Sequence, residues 1–174
     1  QAPEASSEGH ATHSFFGDGR SDILLRQQGG AIAIWSTDGT SRTAAAVLGG
    51  ADESWQLSGV GDFDGDGKAD LLWRQDSGQL SLWRMSGGEI AASDPVASAD
   101  GWVIVGVGDF DGDRRADILW RNPTGQISAW LMSGADVVSR TVIGSVESNW
   151  SLASIADFNG DGRADVLWRR DDGS

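Results

Sequence analysis

The chain contains no cysteine, which removes disulfide frameworks and thiolate metal sites but is uninformative about redox compartment. No run of apolar residues approaches the roughly 20 needed to cross a bilayer as a helix, so membrane insertion is not expected. The opening Gln1-Ala2-Pro3 has neither a charged start nor an apolar core, so a secretion signal has been removed or never existed. Basic residues number 13 against 26 acidic ones and cluster nowhere, which argues against nucleic-acid binding. Neither G-x-S-x-G nor H-E-x-x-H occurs, and His10 and His13 have no loop Cys or His partners. Zinc chemistry and nucleophilic catalysis are therefore not expected, and the chain does not read as an enzyme. No stretch carries the apolar spacing of an amphipathic helix.

What is present is a loop that recurs. Gly61-Asp62-Phe63-Asp64-Gly65-Asp66-Gly67-Lys68-Ala69-Asp70 returns from Gly108 to Asp117 and from Ala156 to Asp165, so that Asp70, Asp117 and Asp165 lie 47 and 48 residues apart. A damaged copy ends at Asp22. The nine tryptophans obey the same period. Trp55, Trp102 and Trp150 precede the loops, Trp73, Trp120 and Trp168 follow them, and Trp35, Trp83 and Trp130 close a later strand-like run. An arginine trails the middle class at Arg74, Arg121 and Arg169, with Arg26 in the first copy. A period in the forties, rich in Gly and aromatics, is the mark of a propeller or solenoid built from small sheets.

One repeat reads as four strands: Trp55 to Gly61, Ala69 to Arg74, Gln79 to Met85, and a weaker one from Glu89 to about Val96 whose aligned copies share little. Turns fall at Gln75 to Gly78 and at Ser86 to Gly88. Leu71-Leu72-Trp73 places apolar residues on both faces, as in a sheet sandwiched between two others. The recurrence of the tryptophans and arginines favours packing between sheets over a sugar-binding platform.

The loop's chemistry follows from its spacing. Side chains at Asp62, Asp64 and Asp66 converge, the backbone carbonyl of Lys68 joins them, and Asp70 closes the shell. An all-oxygen, carboxylate-rich cage suits a hard cation of six to eight ligands, hence Ca2+ over Zn2+ or Mg2+. The third repeat offers Asp109, Asp111, Asp113, the carbonyl of Arg115, and Asp117. The fourth offers Asp157, Asn159, Asp161, the carbonyl of Arg163, and Asp165. Three Ca2+ sites are expected. In the first repeat Ser14 and Phe16 replace two ligands and leave Asp18 and Asp22, so an ordinary turn without an ion is expected there. Arg114 stands where the other complete loops have their second glycine, which implies backbone strain. Of the 26 acidic residues 13 belong to these loops, which accounts for much of the net charge of -13 without a basic partner. An EF-hand is excluded, because its twelfth position requires a bidentate Glu and this chain has Trp73, Trp120 and Trp168 there.

The run from Asp62 to Arg74, followed by Ser77 to Gly87, resembles the FG-GAP or VCBS type repeat of bacterial extracellular proteins over residues 15 to 174. The resemblance implies an all-β fold of β-propeller blades, each a four-stranded antiparallel sheet with Ca2+ between its first two strands, as in integrin α propellers and some fungal lectins. It also implies a secreted or cell-surface location, in a bacterium.

The expected organisation is a tail over 1–14 and repeats at 15–54, 55–101, 102–149 and, in part, 150–174. About 3.5 repeats fall short of the roughly seven blades usual in such propellers. Another chain or the remainder of a longer parent would complete the ring, unless head-to-tail pairing builds a filament. A calcium-stabilised module for adhesion, ligand recognition or assembly is the leading functional expectation, with a glycan or protein as ligand. A lectin, a structural filament subunit, and a non-catalytic segment of a larger secreted enzyme are the alternatives.

Overall fold

The computed structural model describes residues 13–173, and among them it contains thirteen strands and no helix. They form four antiparallel up-and-down sheets in chain order. The first sheet holds β1 (Ile23–Arg26), β2 (Ala31–Thr37) and β3 (Arg42–Gly50). The second holds β4 (Trp55–Gly61), β5 (Asp70–Gln75), β6 (Leu80–Ser86) and β7 (Glu89–Val96). The third holds β8 (Val103–Gly108), β9 (Asp117–Arg121), β10 (Gln126–Ser133) and β11 (Asp136–Ser145). The fourth holds β12 (Trp150–Ala156) and β13 (Asp165–Arg170). The architecture is a partial propeller, an open series of blades. The expected tail lies outside the described residues as far as Thr12, and with it His10.

The second and third strands of the second sheet each begin one residue later than expected. The fourth strand is complete in both four-stranded sheets despite its weak sequence signal, because β7 and β11 are held by main-chain pairing to β6 and β10.

The core is distributed over the junctions between sheets. Side chains alternate along a strand, so Leu71 joins Ile32 and Ile34 of the first sheet and Phe15 of the loop that precedes it, while its neighbour Leu72 joins Ile118 and Trp120 of the third. Both leucines are fully buried. Burial of such a side chain stabilises by roughly 1.5–3 kcal/mol. The recurring arginines cross the same junctions. The Arg26 guanidinium lies 5.4 Å from the Trp73 ring and donates to the carbonyls of Trp55 (2.7 Å) and Asp52 (2.9 Å). Arg74 over Trp120 and Arg121 over Trp168, each at 5.8 Å, repeat the arrangement. For Arg26, Arg74 and Arg121 the expected structural role is what the geometry shows.

The first strands of successive blades approach closely, β4 against β8 and β8 against β12. Glycine permits it: a Cβ added at Gly61 would lie 2.6 Å from the Cβ of Ala116 in the next blade. Since Ala116 has no side chain that can move aside, Gly61→Ala should separate the second and third blades. A loss of about 1–3 kcal/mol is expected from such overpacking, measured by urea unfolding with an Ala116→Gly background restoring the loss.

Candidate metal centres

Each complete loop wraps around its first aspartate. Asp62 Oδ1 accepts the N–H of Gly65 (2.7 Å) and of Asp66 (3.1 Å), and its Oδ2 that of Gly67 (2.8 Å). Asp109 receives Gly112 and Asp113 on Oδ1 and Arg114 on Oδ2, and Asp157 receives Gly160, Asp161 and Gly162 in the same way. The turn requires a positive φ at the sixth position, which is 82° at Gly67 and 86° at Gly162. Arg114 adopts φ 71°, where its Cβ is crowded. The expected strain is present as geometry. Arg114→Gly should therefore stabilise the protein by about 1 kcal/mol, seen as a higher midpoint in thermal unfolding with metal and without it.

The last aspartate of the loop is a buried hub. Asp70 is inaccessible to solvent and accepts the N–H of Phe63 on Oδ2 (3.0 Å) and of Met85 on Oδ1 (2.8 Å). It thus fastens the loop to the third strand as well as the second. Asp117 does the same with Phe110 and Met132, both at 2.9 Å. Asp165 is only half-buried and accepts from Phe158 (3.0 Å). Asp22 accepts from Phe15 (2.7 Å), while its buried Oδ1 has no partner among the described residues.

Two of the expected ligand sets are brought together in part. Oxygens of Asp62, Asp64 and Asp70 lie within 4.8 Å of one another, as do oxygens of Asp109, Asp111 and Asp117. These all-oxygen sets fit a hard divalent cation. Such an ion would draw on Asp62, Asp64 and Asp70, or on their counterparts, and would supply positive charge that neutralises the buried carboxylates and ties the strands together. The fifth-position acids are turned aside. Asp66 accepts the Lys68 N–H (2.8 Å) and pairs with its Nζ at 2.6 Å; Asp113 accepts the Arg115 N–H (2.8 Å) and pairs with Nη1 at 3.1 Å. These half-exposed pairs are weakly held, so either carboxylate can be drawn to a cation at little cost. In the fourth repeat the Asn159 amide donates to Asp161 Oδ2 (3.2 Å), and the Asp161 Oδ1 accepts from Arg163 N–H (2.9 Å). In the first, Ser14 and Phe16 bring no carboxylate, and Phe16 lies against Gly88 of the second blade.

Sequence reasoning missed the third-strand amides of Met85 and Met132. The available signal was the recurrence of Met-Ser-Gly fifteen residues after each buried aspartate. It also missed that the loops are joined to one another: the carbonyls of Ser14, Asp62 and Asp109 accept the N–H of Ala69 (2.9 Å), Ala116 (2.6 Å) and Ala164 (2.6 Å) in the following blade.

Burial pushes Asp70 up to about 7 and Asp117 up to about 6, with the charges of neighbouring loop acids adding to the shift and the backbone N–H groups opposing it. Burial also raises Asp62. A raised carboxyl favours the folded state when protonated. Its contribution is complete below the unfolded value near 4 and is lost as pH rises through 6 and 7. Backbone hydrogen bonds to Gly162 above all hold Asp157 low, so its contribution is lost only at more acidic pH. In chelator, the melting temperature should consequently fall between pH 5 and pH 8. Divalent cation should diminish or reverse that fall, because it binds the ionised form.

Blades of this topology, carrying an acidic loop between their first two strands, define a propeller-type repeat protein. Models of the FG-GAP-like repeat match residues 15–73, 62–120 and 109–168, and the chain belongs to that family. Each match runs from one loop into the tryptophan that follows the next, the span of one blade junction. No curated protein matches the chain.

Proposed function

We propose that the chain is a calcium-stabilised extracellular module that acts by binding and assembly, without catalysis. The observation that carries this reading is the convergence of Asp62, Asp64 and Asp70, and of Asp109, Asp111 and Asp117, around the buried Asp70 and Asp117, which form no ion pair among the described residues; of the six only Asp64 has a basic neighbour within ion-pair distance, Arg84 at 3.9 Å. Loops of this kind suit the abundant calcium outside cells, where modules with dissociation constants near 10⁻⁴–10⁻³ M are occupied. The perturbed carboxyls are accounted for by burial within these loops, which leaves no acid–base pair requiring a substrate.

Assembly belongs to the same reading. Phe158 and Leu167 of the fourth sheet are 57% and 51% exposed, whereas the equivalent Phe63 and Leu72 are fully buried by the next blade. Ile23 and Trp35 of the first sheet are likewise exposed. Further blades, from a second copy or from the rest of a longer protein, would cover these faces.

Calcium should raise the melting temperature relative to chelator, with a stabilisation of about 2.7 kcal/mol once calcium exceeds a site's dissociation constant 100-fold. Asp64→Ala should lower the stability of the calcium-loaded protein more than that of the metal-free protein. Superimposable melting curves in calcium and in chelator at pH 7.5 would overturn the reading.

A further inference from the structure

The junction between the second and third blades contains a four-membered stack. The Arg74 guanidinium lies 5.8 Å from the Trp120 ring, Trp120 lies 4.8 Å from Trp130, and the Arg140 guanidinium covers Trp130 at 4.2 Å. The junction between the first and second blades repeats its first three members: Arg26 at 5.4 Å from Trp73, and Trp73 at 5.1 Å from Trp83. The fourth member is missing. Arg140 stands opposite Trp130 in the β10–β11 register, and the residue opposite Trp83 in the matching β6–β7 register is Ser93. In the first blade the outer tryptophan is also capped, with Arg42 lying 4.9 Å from Trp35. Of three outer tryptophans, two carry a guanidinium and Trp83 faces a serine.

A cleft of about 240 Å³ opens at that position, lined by Trp55, Trp73, Trp83, Ser81, Ser93 and Asp52, together with the Gly50–Ala51 backbone. We infer that the cleft receives the guanidinium of an arginine-bearing peptide segment from a partner protein, which completes the stack that Arg140 completes internally one blade further on. The electron-rich indole face attracts a cation, and a planar guanidinium stacks on it as an ammonium cannot. The third blade shows that a second arginine is accommodated beside the one already bound between blades, so Arg26 does not exclude it. Asp52, in the cleft lining, adds a carboxylate that attracts a cation. The inference rests on the reading of the chain as a binding module, but not on its calcium.

The test is a tryptophan-fluorescence titration of the whole chain with Gly-Arg-Gly. Gly-citrulline-Gly, equal in size but uncharged, and a panel of neutral pyranoses serve as competing probes. The arginine peptide should bind about fivefold or more tightly than its citrulline counterpart. Ser93→Arg should abolish that binding while keeping the melting temperature, since it copies the third blade; Arg140→Ser should create a second site of the same preference. Equal affinity for the two peptides, undiminished binding by Ser93→Arg, or saturation by a pyranose alone would overturn the inference. Melting curves in calcium and chelator on the same samples separate the two readings, because peptide binding that persists without any calcium response would sink the metal proposal and leave this one standing.

Discussion

The structure depends on a carboxylate placed where water cannot reach it. Burying an ionised carboxylate is unfavourable unless hydrogen bonds and opposite charge compensate. Asp70 obtains two N–H donors, from Phe63 and Met85, and no cationic partner among the described residues. The compensation is therefore incomplete, and the carboxyl rises to about 7. The group that fastens the loop to the second and third strands is thus the group that most lacks positive charge. Asp62 and Asp64 add to that deficit. A divalent cation would remove it, which is why the proposed calcium role and the observed blade architecture have one physical origin.

Adjacent loops share this dependence. The first aspartate of one loop gives its carbonyl to the alanine preceding the buried aspartate of the next, as between Asp62 and Ala116. Basic stems reinforce the link: a Cβ at Gly65 would lie 3.5 Å from Arg115 Cγ, and one at Gly112 would lie 3.3 Å from Arg163 Cγ. A blade therefore positions the loop of its predecessor, and stability accrues through nearest-neighbour junctions, as in other repeat arrays. The fourth sheet shows the converse. With no described blade beyond it, Phe158 and Leu167 are exposed, where Phe63 and Leu72 are buried.

Much of the fold was legible because repetition and side-chain alternation are written in single residues. Leu71, Leu72 and Trp73 announced a strand buried on both faces, and Trp73 with Arg26 announced a junction. The loop's wrapping was legible for the same reason, since Gly65, Gly67 and the alternating acids permit few conformations. Less legible were the contacts made by backbone. The amides of Met85 and Ala116 carry no side-chain signature, and their partners follow from how sheets stack. The turning of Asp66 toward Lys68 was also hidden, because it reflects a local competition between an adjacent ammonium and the other loop acids.

The repeats also serve as controls for one another. Residues that meet the neighbouring blade recur, as the Trp73, Trp120 and Trp168 series does, because a change there would disturb two sheets at once. Outer strands are held by main-chain pairing and are free to differ in their side chains: Ala45, Ser93 and Arg140 oppose the three outer tryptophans on β3, β7 and β11. A difference at these positions leaves the junction's Arg–Trp contact intact while changing what the outer tryptophan presents to solvent. The outer strands are therefore where one blade can acquire a binding chemistry its neighbours lack, without cost to the array that supports it.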